Sequence, residues 1–201
     1  MIDNKYYSQE FHGPYELHDI GNLELEEGGT IRNCKLAYAT FGKLNAARDN
    51  AILMPTWYSG TNKILEQVFV GQGRALDPDK YFILIVNQIG GGLSSSPHNT
   101  PAPAGMGNFP YVRIGDDVRA QHKLVTEEFG LKNLALVVGG SMGAQQTYEW
   151  AVRSTPTSIS SSSSIRSATV FRPRRTTRRR PPEWPISRMC GSATTSVRST
   201  S

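Results

Sequence analysis

Three short, uninterrupted apolar runs mark the first 153 residues of the chain, at 51–54, 81–86 and 134–138. Runs of this length without polar alternation are typical of strands that are buried on both faces, as in a parallel sheet. Residues 116–129 carry apolar side chains at helical spacing and are followed by Gly130, so they predict a helix. Strands that alternate with helices predict an α/β domain.

The segments before the first apolar run show strand-like alternation. Apolar and polar residues alternate over 23–25, and 31–41 is a second extended segment with the same pattern. The Glu-Glu-Gly-Gly sequence at 26–29 predicts a hairpin turn between them. Residues 62–70 are a weaker helical candidate, and residues 1–19 show no clear period.

The composition changes after Arg153. Residues 1–153 carry 13 Lys and Arg against 16 Asp and Glu, whereas residues 154–201 carry 9 Arg and a single acid, Glu183. The second segment consists mainly of Ser, Thr, Arg and Pro and has little apolar periodicity, so it cannot bury enough surface to offset its chain entropy. We therefore predict a domain at 1–153 and a disordered tail at 154–201, which accounts for the net charge of +5.

Cysteine usage and hydropathy narrow the class of protein. The two cysteines, Cys34 and Cys190, fall in different segments of the chain. This distribution does not indicate a disulfide framework, and it fits a protein of a reducing compartment. The chain has no apolar run long enough for a membrane span, and its first residues are too polar for a signal peptide. We expect a cytoplasmic protein without a membrane partner and, because no Cys/His cluster has metal spacing, without a metal site.

The third apolar run leads directly into Gly-Gly-Ser-Met-Gly at 139–143, and a helix-like segment follows at 144–152. A strand, G-x-S-x-G and a helix in this order are the context of a nucleophile elbow, in which a serine occupies a sharp turn at the top of a parallel sheet. We therefore predict Ser141 as a catalytic nucleophile. The alternative is a glycine-rich turn with an idle serine.

The neighbours of Ser141 have predicted roles of their own. Gly139 and Gly143 would let the strand and the helix pass closely without a Cβ clash. The backbone N–H of Met142 would point into an oxyanion hole, assisted by the positive end of the helix that follows.

Several stretches resemble one family, the homoserine O-acetyltransferases of the α/β-hydrolase superfamily. The resemblance rests on 37–45 with 50–53, on Asp-Asp-Val-Arg-Ala-Gln at 116–121, and on 139–143 with Glu-Trp at 149–150. It implies an α/β-hydrolase fold, a Ser–His–Asp triad in the chain order Ser, Asp, His, and a covalent acyl-enzyme. It also implies acetyl-CoA as co-substrate, homoserine as acceptor in methionine biosynthesis, and a homodimer when full length.

Two loops depart from the family pattern. Residues 55–60 read Pro-Thr-Trp-Tyr-Ser-Gly where the acetyltransferases usually show His-Ala-Leu-Thr-Gly, and 90–97 replace a Gly-Ser-Thr-Gly-Pro loop. The resemblance places both loops at the mouth of the site and assigns the second oxyanion N–H to Thr56 or Trp57. Because these loops differ, a carboxylic ester hydrolase on the same scaffold is the alternative function.

The triad partners that the resemblance implies are not in this chain, because no His and no Asp follows residue 153. A serine without its base is a weak nucleophile, so we expect little or no activity from this chain. The sheet would stop after the elbow strand and leave an open edge. If Thr-Pro-Thr at 155–157 is encoded by ACC-CCG-ACN after a serine codon that ends in T, a shift of one base reads the family's Tyr-Pro-Asp. We therefore interpret 154–201 as a frameshift product; a genuine basic extension is the alternative.

The remaining polar candidates have simpler explanations. His122 lies in the predicted helix and is interpreted as a helix-surface residue, and His98 lies in a loop that could approach the site. Asp116 and Asp117 are interpreted as acids at a helix N-terminus, where the helix dipole favours them. The arginines of 172–180 support a third class of function, a non-catalytic chain that binds polyanions such as nucleic acid non-specifically.

Overall fold

The computed structural model describes residues 4–153 and, as strands, residues 164–165 and 168–171. Six strands form the main sheet in the order β1-β4-β6-β5-β8-β10. The strands, in chain order, are β1 (Glu16–Asp19), β2 (Leu23–Glu24), β3 (Thr30–Ile31), β4 (Lys35–Phe41), β5 (Ala51–Pro55), β6 (Phe82–Val86), β7 (Asn133–Leu134), β8 (Leu136–Gly140), β9 (Ser164–Ile165) and β10 (Ala168–Phe171). Strands β5, β6, β8 and β10 run parallel to one another, and β4, near one edge, pairs antiparallel with both β6 and the edge strand β1.

Four α-helices accompany the sheet, and none of those within the described ranges is long and apolar enough to cross a membrane. They are α1 (Gln9–His12), α2 (Asn62–Phe69), α3 (Ile114–Lys123) and α4 (Met142–Arg153). Shorter helical turns cover Lys5–Tyr7, Met106–Asn108 and Leu124–Glu128.

The central strands are buried on both faces, which confirms the interpretation of the apolar runs. Ala51 and Leu53 of β5 belong to a core that also contains Val118 of α3 and Trp150 of α4. Alternate residues of the same strand join a second core, around Leu65 of α2. An apolar residue is therefore favourable at every position of β5, and the alternation expected of a half-buried strand disappears.

The predicted hairpin is confirmed, but the extended segment after it is divided. Strands β2 and β3 pair antiparallel around the glycine turn. The chain then turns at Asn33, whose φ of 48° lies in the left-handed region, before β4 begins. Strand β4 pairs with β6 and β1, and β1 lies in a part of the sequence whose pattern predicts no strand.

The predicted helix at 116–129 is confirmed in outline. It begins earlier, at Ile114, and α3 continues into a wider π-helical turn at Leu124–Glu128 before Gly130 ends it with a φ of 55°. The buried Asp116 accepts the backbone N–H of Arg113 at 2.8 Å, as expected of an acid in the first turn.

Two predictions about the C-terminal segment have different outcomes. Of the predicted disordered tail at 154–201, the structure describes only β9 and β10, where the chain is extended in strands. The remaining residues of the tail, with the arginine cluster, fall outside the described residues, and the frameshift origin stays a prediction. The expectation that the sheet ends at the elbow strand is wrong, because β10 pairs parallel with β8, with Ala168 opposite Val137 and Phe171 opposite Gly140. The Ala-Thr-Val-Phe sequence of β10 is rich in strand-forming residues, and it satisfies the outer backbone groups of β8.

Candidate active site

Ser141 occupies the turn between the last residue of β8, Gly140, and the first residue of α4, Met142. Its φ is 52°, in the left-handed region that L residues with a side chain rarely adopt, and its side chain is exposed. Such a conformation persists only where the surrounding structure imposes it. Ser141 is therefore held at the surface in the strained geometry of a nucleophile elbow.

The two elbow glycines are required by the close approach of backbones. A Cβ on Gly143 would lie 2.5 Å from the carbonyl oxygen of Pro55, at the end of β5. A Cβ on Gly139 would collide with the backbone of Gly143 and lie 3.0 Å from the nitrogen of Ala144. The start of α4 thus packs directly on β5 and β8, as the motif predicts, and this contact brings Ser141 beside the loop at 56–60, here called the oxyanion loop.

The structure distinguishes between the two candidates for the second oxyanion donor. The N–H of Thr56 donates to the carbonyl oxygen of Val86 at 3.0 Å, in continuation of the β5–β6 ladder. The prediction of Thr56 as a donor is therefore wrong. The N–H groups of Trp57 and Met142 find no acceptor in the part of the chain that the structure describes, so both stay candidates for oxyanion donors. The backbone N–H of Tyr58, which the sequence did not single out, likewise has no acceptor among the described residues.

The indole of Trp57 lies next to the elbow. A Cβ on Gly140 would be 3.7 Å from its ring, and a Cβ on Gly60 would be 2.7 Å from its Nε1. On its other side the ring packs edge-on against Phe69, with centroids 6.2 Å apart. The ring of Trp57 therefore forms a packed aromatic surface beside the elbow.

None of the four histidines of the sequence makes a hydrogen bond with Ser141. His12 is buried and its Nδ1 lies 3.1 Å from the hydroxyl of Thr61. The Nδ1 of His18 lies 3.0 Å from a carboxylate oxygen of Glu128. These two side chains are therefore engaged within the fold.

The other two histidines contact aromatic rings. His98 stacks on Tyr7, with centroids 5.4 Å apart. His122 is half-buried against Trp150, with centroids 5.8 Å apart, so it is less exposed than the expected helix-surface residue. Burial lowers the pKa of both imidazoles.

The serine-rich loop at 90–97 is a packed structural element. Ser94 and Ser96 are buried; Ser94 donates to the carbonyl oxygen of Asn87 at 2.6 Å and accepts the N–H of Ala37 at 2.9 Å. Ser96 accepts the N–H of Gly92 at 2.9 Å. The Ser94 hydroxyl therefore holds the loop to β4, and the Ser96 hydroxyl closes the loop on itself.

The paired carboxylates at the start of α3 serve the fold. Asp117 is buried and accepts the N–H of Ile89 at 2.8 Å, which ties α3 to the segment after β6. Burial raises the pKa of Asp117 to about 7. Asp116 accepts the N–H of Glu26 at 3.0 Å and pairs with Arg119 at 2.6 Å. No group of three or more metal-ligating side chains occurs within the described ranges.

Comparison with known proteins identifies the fold. The family model of the α/β hydrolase fold matches residues 53–185. The chain belongs to the α/β hydrolase fold family. This agrees with the mostly parallel sheet and with a serine placed between β8 and α4.

Individual relatives of this α/β hydrolase carry esterase and acyltransferase names. An ethyl acetate hydrolase from Pseudomonas veronii is 64% identical over 150 residues, 75% of this chain and 43% of that protein. The structure of an acetylester hydrolase from Corynebacterium glutamicum is 60% identical with a TM-score of 0.75, covering 76% of this chain and 44% of that one. A homoserine O-acetyltransferase from Leptospira biflexa is 38% identical over 162 residues, 71% of this chain and 43% of that protein.

These comparisons correct the narrower family prediction. Homoserine O-acetyltransferases are relatives of this α/β hydrolase, but the esterases share many more of its residues. Membership of the acetyltransferase group is therefore not confirmed. The chain spans less than half the length of the relatives described above.

Proposed function

We propose that this chain carries the nucleophile of a carboxylic ester hydrolase that works through an acyl-enzyme on Ser141. The observation that supports the proposal is the elbow: Ser141 has a φ of 52° and lies beside the oxyanion loop, and the N–H groups of Met142 and Trp57 have no acceptor among the residues that the structure describes. Two backbone donors beside a strained serine are the arrangement that stabilises the oxyanion of acyl transfer.

The proposed reaction has two steps. The hydroxyl oxygen of Ser141 bonds to the ester carbonyl carbon, and the negative charge on the carbonyl oxygen is held by the N–H groups of Met142 and Trp57. The alcohol then leaves with the proton of the serine, and an acyl group remains on Ser141. Water then attacks that ester at the carbonyl carbon; its oxygen leaves with the acyl group as the acid, and one of its protons restores the hydroxyl of Ser141.

Ester hydrolysis is favoured over transfer to an amino-acid hydroxyl for two reasons. The oxyanion loop departs from the acetyltransferase pattern, and the relatives at 60–64% identity are named as an ethyl acetate hydrolase and a probable esterase. A short acyl ester such as an acetate is accordingly the proposed substrate class. Transfer of an acetyl group from acetyl-CoA to homoserine is the second candidate, supported by the acetyltransferase relatives at 38% identity.

The acyl-enzyme itself gives the most direct test. The 201-residue chain is incubated with p-nitrophenyl acetate, with ethyl acetate, or with acetyl-CoA plus homoserine, and the adduct is located by intact-mass and peptide mass spectrometry. Because no histidine of the chain lies at Ser141, each reaction is run with and without imidazole as a soluble base. We expect an acetyl group on Ser141 from the esters, faster with imidazole.

Two controls define the result. Ser141→Ala should lose the adduct, and the urea-unfolded chain should show only scattered lysine acetylation. An adduct that forms equally on the folded and unfolded chain would contradict the proposal. Acetyl-homoserine formation without ester hydrolysis would favour the second candidate.

A further inference from the structure

A chain of buried side-chain hydrogen bonds connects the helices to the oxyanion loop. The indole Nε1 of Trp150 donates to Oε1 of Gln121 at 2.8 Å, and the amide nitrogen of Gln121 donates to Oε1 of Gln146. The amide nitrogen of Gln146 lies 3.3 Å from both the carbonyl oxygen of Thr56 and Oε1 of Gln88. The exposed fraction of these side chains is 4% or less, so water does not compete for their bonds.

The donor and acceptor roles along this chain follow from its first member. An indole N–H can only donate, so Gln121 must present its oxygen to Trp150 and its NH₂ to Gln146. Gln146 in turn must accept with its oxygen, and its own NH₂ faces Thr56 and Gln88. The NH₂ of Gln88 lies 3.4 Å from the carbonyl oxygen of Tyr58. The network therefore ends with N–H donors directed at two carbonyls of the oxyanion loop.

The bond to Thr56 determines where the N–H of Trp57 points. The carbonyl of Thr56 and the N–H of Trp57 belong to the same planar trans peptide, so they point in opposite directions. Thr56 is held at two further points: its N–H donates to Val86, and its hydroxyl accepts the N–H of Gln88 at 3.1 Å. With its carbonyl held by Gln146, this peptide has little freedom to rotate.

We propose that Gln146 is a positioning residue for the oxyanion hole, because it fixes the Thr56–Trp57 peptide with the N–H of Trp57 turned away from the core and available to the substrate. This inference rests on the proposed acyl-enzyme function. Met142 begins α4, and Gln146 follows one helical turn later. The same helix therefore positions both proposed oxyanion donors: the N–H of Met142 directly, and the N–H of Trp57 through Gln146. Trp150 and Gln121 fix the direction of the Gln146 amide.

The test compares two neighbouring glutamines of α4. Gln146→Met keeps the size and removes the donor; Gln145→Met is the matched control, because Gln145 is exposed on the same helix. Two quantities are measured. The first is amide hydrogen exchange at Thr56 and Gln88, whose N–H groups are protected by bonds within this loop region. The second is the rate of Ser141 acetylation by p-nitrophenyl acetate. For Gln146→Met we expect exchange about tenfold faster at both amides and acetylation about 10- to 100-fold slower.

A third variant separates a positioning role from simple packing. In Gln146→Glu a protonated carboxyl can accept from Gln121 and donate to Thr56, whereas an ionised carboxyl cannot donate. Protection of the Thr56 amide should therefore approach that of the unmodified chain at low pH and fall as the introduced carboxyl ionises. Gln145→Glu should show no such profile.

The outcomes are distinguishable. Unchanged exchange at Thr56 and Gln88 in Gln146→Met would overturn the proposal, and so would an equal increase at Leu53 and Ile85 in the central strands, because Gln146 would then only support the core. If the unmodified chain forms no Ser141 adduct, the proposed ester hydrolase function fails, and the exchange data alone decide whether Gln146 holds the loop.

Discussion

The buried carboxyl group of Asp117 should make the stability of the domain depend on pH. Burial raises its pKa to about 7; the N–H of Ile89 opposes this rise and the charge of Asp116 adds to it. In the unfolded chain the same carboxyl titrates near its ordinary value of 3.8. Asp117→Asn removes the ionisable group and keeps an oxygen that can accept the N–H of Ile89.

The sign and size follow from proton linkage. Below about pH 4 the carboxyl is protonated in both states, and its contribution does not change with pH. Between about pH 4 and pH 7 the unfolded chain releases the proton while the folded chain keeps it, so the free energy of unfolding falls as pH rises. A difference of about three pKa units at about 1.4 kcal/mol per unit gives a loss of about 4 kcal/mol, complete above about pH 7.

Urea unfolding followed by tryptophan fluorescence, at a series of values from about pH 4 to about pH 8, measures this effect. As pH rises, the free energy of unfolding of Asp117→Asn should increase relative to that of the unmodified chain by up to about 4 kcal/mol, which means that the variant becomes the more stable of the two. Asp49→Asn, at an exposed position, should give a flat difference. A flat difference for Asp117→Asn, or one that favours the unmodified chain at high pH, would refute the reasoning.

Two further predictions concern the elbow and the core. Gly143→Ala places a Cβ 2.5 Å from the carbonyl oxygen of Pro55 in a central strand, so it should lower the free energy of unfolding by roughly 1–3 kcal/mol. Gly107→Ala is the control and should lower it far less, because its Cβ meets nothing within 4 Å. Equal urea midpoints for the two variants would contradict this prediction. Burial raises the pKa of the Cys34 thiol to about 12, so iodoacetamide should leave Cys34 unmodified in the native chain and alkylate it in urea, as read by peptide mass spectrometry.

The parts of the fold that the sequence predicts are those whose cause is local. The apolar run of β5 is recognisable because Ile52 and Leu53 enter cores on opposite faces of the sheet. The elbow is recognisable because Gly139 must clear the backbone of Gly143, four residues on, although Gly143 itself must clear Pro55 of β5. In both cases the signal lies within a few neighbouring residues of the sequence.

The parts that the sequence does not predict depend on distant partners. The N–H of Thr56 is lost as an oxyanion donor only because Val86, from another strand, accepts it. Glutamine is typical of exposed helix positions, so the sequence does not indicate that Gln121 and Gln146 are buried. Their burial follows from the packing of α3 on α4. One signal was available: Gln146 precedes the buried Trp150 by four residues, which places both on one face of a helix.

The left-handed backbone at Ser141 also places the stability of the fold in conflict with retention of the proposed nucleophile. That conformation costs a residue with a side chain roughly 1–2 kcal/mol, whereas the added chain entropy of a glycine costs roughly 0.5–1 kcal/mol. Selection for stability alone would therefore replace this serine, and glycine or asparagine would be the easiest replacements. Among natural descendants of this fold, lineages that have lost catalysis should be recognisable by drift at this position, while those that keep a serine here bear the strain for the sake of chemistry.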